Sequence, residues 1–181
     1  MAQKRTKRMA VVNCAGGSTR AENPGAGSPQ NGCRGALEAG EKIIECGYGC
    51  LGLGDCVAAC KLGAITVGPT GAAVVDREKC VGCGLCVGVC PRGLIRLSEP
   101  EFNIFTRCQS AADGPTTRKV CATGCIACGI CEKNCPAGAI TVTGNRAVID
   151  EAKCIACGMC AVKCPRGTIG DDWKIFTIDR A

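Results

Sequence analysis

At 181 residues the chain could hold one or two small domains. Aromatic residues make up only 3% of it, against 26 glycines and 20 cysteines, so a conventional apolar core is thin for this length. The absence of histidine removes the commonest acid–base group, and no glycine-rich dinucleotide fingerprint is present. The formal charge of +6 counts every thiol as neutral. Nucleic-acid binding is not expected, because basic residues interleaved with stacking aromatics are missing. No run of about 18 apolar residues exists, so no membrane span is expected.

Residues 1–45 open with a basic segment, Lys4, Arg5, Lys7 and Arg8, which reads as a solvated terminus. A short apolar strand, Arg8 to Cys14, follows it, and then a loop from Ala15 to Ala39 rich in Gly, Pro, Ser and Asn. Residues 46–97 carry Cys46, Cys50, Cys56 and Cys60, then Cys80-x2-Cys83-x2-Cys86-x3-Cys90-Pro91. Between the two runs, Ala64 to Val67 and Val74 to Asp76 read as a β-hairpin. Residues 98–120 repeat the opening: the strand Phe102 to Cys108 parallels Arg8 to Cys14, and a loop from Gln109 to Arg118 follows. Residues 121–170 repeat the cysteine runs, as Cys121, Cys125, Cys128, Cys131 and Cys135, then Cys154-x2-Cys157-x2-Cys160-x3-Cys164-Pro165. A second hairpin is expected at Ala139 to Val142 and Val148 to Asp150. Residues 171–181 form a tail in which Trp173 to Asp179 resembles the opening strand once more, with Trp173 read as its anchor.

Three chemistries use many cysteines. Disulfide scaffolds suit small secreted domains, but no secretory apolar segment follows Met1, and thiols two residues apart within one run make poor disulfide geometry. Zinc takes four ligands from two separated pairs. Three cysteines three residues apart, then a fourth before proline, instead match the [4Fe-4S] cubane: three thiolates curl round one cluster and the fourth reaches its neighbour. Gly82, Gly84, Gly129 and Gly158 would let the backbone approach the sulfides, while Pro91, Pro136 and Pro165 turn the chain away. The expected fold class is α+β: tandem bacterial-type two-cluster ferredoxin units with short β-hairpins and short helices around the clusters.

The crossed rule assigns three clusters directly. Cys80, Cys83, Cys86 and Cys60 make cluster 2; Cys125, Cys128, Cys131 and Cys164 make cluster 3; Cys154, Cys157, Cys160 and Cys135 make cluster 4. Cluster 1 is altered, because Leu53 stands where Cys128 supplies the middle thiolate in the second half. Cys50, Cys56 and Cys90 need a fourth ligand, and Cys46 or Cys33 could complete them. A three-iron or open-iron cluster with chemistry of its own, or an empty site, are the alternatives. If Cys33 fills the gap, Cys14, Cys46, Cys108 and Cys121 remain. These four are either inert thiols or a fifth site between the halves. Sixteen thiolates around four dipositive cores would bring the holoprotein to about −2. Because clusters would form much of the core, folding is expected to depend on them.

The stretch Cys46-GYG-Cys50-LGLGD-Cys56-VAA-Cys60, with VVDREKCVGCGLCVGVCPRGLI and RKVCATGCIACGIC after it, resembles the polyferredoxin portion of the B subunit of the Rnf electron-transport complex. That family's anchor and extra iron–sulfur domain are not among these residues, and Lys61 replaces the proline usual after the fourth cysteine. With these departures the expectation is a soluble Rnf-B-like polyferredoxin, cytoplasmic and peripheral to a membrane-bound complex. It would relay single electrons between redox partners such as ferredoxin, flavoproteins or other oxidoreductase subunits in a hetero-oligomeric assembly. The rival readings are an enzyme subunit acting near Leu53 and a structural or redox-sensing iron–sulfur module.

Overall fold

The computed structural model describes residues 8–21 and 32–173. Lys4, Arg5 and Lys7, the middle of the Ala15 to Ala39 loop and the tail beyond Trp173 lie outside the described residues. Two copies of one plan follow each other along the chain. The first uses β1 (Met9–Val12), α1 (Gly32–Glu38), α2 (Asp55–Ala59), β2 (Ile65–Val67), β3 (Ala73–Val75), α3 (Leu85–Val89) and β4 (Ile95–Ser98). The second uses β5 (Ile104–Thr106), α4 (Gly114–Val120), α5 (Ile130–Lys133), β6 (Ile140–Thr143), β7 (Arg146–Ile149), α6 (Met159–Lys163) and β8 (Ile169–Asp171).

All strands pair antiparallel in two-stranded sheets. The expected hairpins are β2–β3, with Ile65 opposite Val75, and β6–β7, with Ile140 opposite Ile149. A second pairing closes each unit. β1 returns to pair with β4, with Val12 opposite Ile95, and β5 pairs with β8, with Thr106 opposite Ile169. These two pairs are the same register in the two repeats, so the strand expected as a separate opening element belongs structurally to the unit that follows it. The β1–β4 ladder joins residues more than 80 positions apart, which local patterning does not reveal.

Helices in the cysteine runs are one turn or little more, and their starts share one device. Gly54, Gly84, Gly129 and Gly158 stand two residues before the third cysteine of each run, all left-handed, with φ from 70° to 89°. The residue two positions earlier is also left-handed in every run: Gly52 and Gly82, but Ala127 and Ala156 in the second half. Alternation between left-handed and ordinary backbone wraps the loop around a centre, and glycine lowers its cost.

Two segments expected as loops contain helices. α4 lies in the Gln109 to Arg118 stretch, started by Asp113, whose Oδ1 accepts the N–H of Thr116 at 2.8 Å, with Pro115 in the first turn. α1 lies at the end of the Ala15 to Ala39 stretch.

Each unit has a small core that includes cysteines. Ile65, Ala73 and Ile95 pack with Cys56, Cys80 and Cys86 in the first, and Ile104, Ile140, Ala147 and Ile169 with Cys131 and Cys160 in the second. The units meet where Val11 packs with Phe102 and Phe105, two rings in an edge-on arrangement with centroids 5.2 Å apart. Arg77 reaches across to Asp172 at 2.8 Å, and Arg96 pairs with Glu151. Segment 15–21 runs between the halves: Thr19 N–H donates to the Val120 carbonyl, and Ala122 N–H to that of Gly17. Among the described residues no helix is long and apolar enough to cross a membrane.

Candidate iron–sulfur centres

In all four runs the fourth cysteine is set by the same turn. The N–H of Gly63, Gly93, Gly138 and Gly167 donates to the carbonyl of Cys60, Cys90, Cys135 and Cys164, three residues back. One residue further on, the N–H of Ala64, Leu94, Ala139 and Thr168 donates to the sulfur of that same cysteine, at 3.2 to 3.4 Å. Lys61, in place of proline, leaves this turn unchanged. Backbone N–H groups aimed at sulfur are what a thiolate ligand needs to hold its charge away from water.

In the second unit the cysteines gather in two sets. Cys125, Cys128, Cys131 and Cys164 line one cavity, and Cys135, Cys154, Cys157 and Cys160 line another. In the first unit Cys86 lies within electrostatic reach of Cys80 and Cys83, and Cys60 packs on the same core. Ala10 N–H donates to the Cys80 sulfur at 3.4 Å, so β1 contributes directly to this set.

At the altered run the structure separates the two cysteines that sequence leaves open. Cys33, Cys50, Cys56 and Cys90 line a single cavity. Cys46 is not among its lining residues and faces a different cavity. The loop keeps its wrapped backbone, with Gly52 at φ 73° and Gly54 at φ 89°, so Leu53 removes a thiol without altering the loop. α1 brings the replacement. Asp55 accepts the N–H of Cys33 at 2.6 Å and of Arg34 at 3.1 Å, fixing the first turn of α1 against the loop. Gly32 is required there, because a Cβ would collide with Asp55 Oδ1. Leu53 packs beside Cys33 against Ala36, Ile44 and Leu51. Four thiols thus gather at the altered run although Leu53 carries none. Sequence reasoning misses the role of Asp55; an acidic residue in the otherwise apolar LGLGD stretch is its one signal.

Thiols gathered without metal resist ionisation. Burial pushes Cys56 up to about 12, and the neighbouring thiols Cys50, Cys33 and Cys90 add to it. Burial likewise raises Cys160 to about 12 and Cys131 to about 11. Each set therefore wants a cation to offset its negative charge when ionised. Among the described residues no three Cys, Asp or Glu side chains are close enough to share a single metal ion. The thiols of each set line a partly open cavity instead. Spaced thiols, N–H groups directed at sulfur and glycine-wrapped loops fit a cluster rather than one ion.

Fold and thiol sets together define a [4Fe-4S] iron–sulfur protein of ferredoxin type. A family model described as a 4Fe-4S binding domain matches residues 73–96, and one described as a 4Fe-4S dicluster domain matches 124–168. The B subunit of the Na(+)-translocating ferredoxin:NAD(+) oxidoreductase complex of Acetobacterium woodii is 40% identical over 147 residues, 81% of this chain and 44% of that protein. The corresponding subunit of the proton-translocating complex of Clostridium ljungdahlii is 44% identical over 80% of this chain and 51% of its own length. That of the ion-translocating oxidoreductase complex of Methanosarcina acetivorans is 40% identical over 81% and 56%. The chain is similar to part of each of these B subunits, and it spans about half the length of the curated relatives it matches.

Proposed function

We propose that the chain is an electron relay, in which [4Fe-4S] clusters pass single electrons along its length between low-potential redox proteins. The observation that supports this reading is a crossed arrangement: Cys90 lines a cavity with Cys50 and Cys56, Cys164 one with Cys125, Cys128 and Cys131, and Cys135 one with Cys154, Cys157 and Cys160, while Cys60 packs on the core that holds Cys80 and Cys86. When bound, the clusters supply one-electron chemistry. The protein's own residues hold them, exclude water and set their potentials through N–H···S bonds and burial. The ligand sets are Cys33, Cys50, Cys56 and Cys90; Cys60, Cys80, Cys83 and Cys86; Cys125, Cys128, Cys131 and Cys164; and Cys135, Cys154, Cys157 and Cys160. The functional units are residues 46–97 and 121–170, each with its preceding strand.

Exposed apolar side chains mark where partners dock. Val81 and Leu85 flank the exposed Cys83, and Ile155 and Met159 flank the exposed Cys157. Such patches at solvent-facing ligands suit transient redox contacts. Partners of ferredoxin or flavoprotein type in a hetero-oligomeric complex, with the chain cytoplasmic and peripheral to a membrane-bound assembly, fit these surfaces and the kinship with ion-translocating oxidoreductase complexes. Protein-film voltammetry of the anaerobically reconstituted chain tests the relay. Several reversible one-electron couples at low potential are expected, and clusters that do not cycle reversibly overturn it.

A further inference from the structure

The four cysteines left over from the ferredoxin sets are not scattered. Cys14, Cys46, Cys108 and Cys121 all line one cavity between the two units, as the ferredoxin sets line theirs. Each unit supplies an equivalent pair: a cysteine just after its opening strand, Cys14 or Cys108, and one four residues before its first run, Cys46 or Cys121.

The local chemistry is also repeated. The Cys14 sulfur accepts N–H groups from Gly16 and, at 3.3 Å, from Cys50. That of Cys108 accepts N–H groups from Ser110, at 3.4 Å, and from Cys125. Two N–H donors per sulfur, one from the residue two positions on, give this pair N–H···S support of the kind that Cys60, Cys90, Cys135 and Cys164 each receive from the residue four positions on. The other pair is fixed through its carbonyls. Arg92 donates to the Cys46 and Gly49 carbonyls, at 3.1 and 2.6 Å, and Arg166 donates to the Cys121 carbonyl. Arg92 and Arg166 follow Cys90-Pro91 and Cys164-Pro165, so the turns that place the fourth ligands of clusters 1 and 3 also place this pair. Buried inert thiols would need none of these arrangements.

We propose that Cys14, Cys46, Cys108 and Cys121 hold a fifth [4Fe-4S] cluster, which joins the two ferredoxin units into one conductor. This rests on the relay reading for its purpose but not for its ligands. The connections run through hydrogen bonds: Cys50, a ligand of cluster 1, donates its N–H to the sulfur of Cys14, and Cys125, a ligand of cluster 3, donates to Cys108. An electron from a low-potential donor protein then passes from one unit to the other, oxidising each cluster as it reduces the next, with no bond to substrate made or broken. The order along the chain becomes cluster 2, cluster 1, the junction, cluster 3, cluster 4.

The test is iron and acid-labile sulfide per chain, with Mössbauer spectra, on the anaerobically reconstituted full chain and on Cys14→Ala/Cys108→Ala. The expected result is about 20 iron atoms in the parent and about 16 in the variant, the remaining signals unchanged. A parent with about 16, or with one zinc bound by these four cysteines, overturns the proposal. Should the double variant fail to fold, the parent count and its Mössbauer spectrum decide alone. Twenty iron atoms with no reversible couples would leave the fifth site standing and remove the relay.

Discussion

Asp55 accepts the backbone N–H of Cys33 at 2.6 Å, and this bond connects the run that lost a thiol to the helix that supplies one. Asp55 lies next to Cys56, whose thiol lines the same cavity as that of Cys33, so the carboxylate holds one thiol near the other. Removing it with Asp55→Ala leaves the first N–H groups of α1 without their acceptor and is expected to cost about 1 kcal/mol. The sharper effect is on iron. Cys33 loses its anchor, and a three-iron signal should grow in electron paramagnetic resonance during storage. Asp55→Asn, which keeps one acceptor oxygen, should show less of it.

Cys33 itself gives a sign-definite contrast with Cys46. Cys33→Ala should convert cluster 1 to a three-iron form, lowering iron by about one atom per chain. Cys46→Ala should leave the cluster 1 signal intact. Because Leu53 occupies the place of the middle thiol in an otherwise unaltered loop, Leu53→Cys on the Cys33→Ala background should restore the four-iron signal. If it does not, the loop around Leu53 is not equivalent to that around Cys128.

How much of this is legible in sequence follows from where each interaction is made. A cubane's three thiolates come from one wrapped loop, so Cys125, Cys128 and Cys131 announce their site by spacing alone, and the crossed fourth ligand lies at a fixed short distance. The hairpins are visible for the same reason. Sequence cannot rank Cys33 against Cys46, because the placement of Cys33 depends on α1 docking through Asp55, 22 residues away, which no local pattern records. The β1–β4 and β5–β8 ladders are more distant still. Arg92 and Arg166 are invisible because their role is to bond carbonyls, and any residue has a carbonyl. Repetition is the one signal that carries long-range information: it pairs Cys14 with Cys108 and Cys46 with Cys121 without any geometry.

Gly82 should be intolerant of any side chain. Its φ is 68°, and a Cβ there would collide with the Arg8 carbonyl oxygen. Ala127 and Ala156 occupy the same loop position in the second unit at φ 54° and 53°, so left-handed backbone alone is borne. Gly82→Ala adds the collision to a conformational cost of about 1 kcal/mol. β1 must move away, breaking the N–H bond from Ala10 to the Cys80 sulfur. The couple assigned to cluster 2 should shift in film voltammetry while those of the second unit stay put.

Asp172 ties the halves together by receiving both Arg77 and Arg107, and its side chain is only 15% exposed, so screening is modest. Asp172→Ala leaves two guanidinium groups without their carboxylate, and Arg77 keeps only the Pro100 and Phe102 carbonyls. A loss of about 2 kcal/mol is expected from charge-assisted hydrogen bonds of this kind. Anaerobic thermal unfolding of the holoprotein, followed by cluster absorbance, should show the lowered midpoint. An unchanged midpoint would mean that the junction is held elsewhere.

Removal of the metal should undo the fold rather than leave a folded shell. Each unit's core is built from a few aliphatic side chains plus cysteines, and the paired strands are at most four residues long, too little to be stable alone. Without iron, the buried thiols of Cys56, Cys131 and Cys160 stay protonated and lie around gaps that nothing fills. The chain loses both the bonds that cross-link its runs and the packing across each centre. Chelation under reducing conditions should therefore abolish the far-ultraviolet circular dichroism of both units together with cluster absorbance. Reconstitution with iron and sulfide should restore both. A chelated chain that kept a cooperative thermal transition would show that the aliphatic cores suffice.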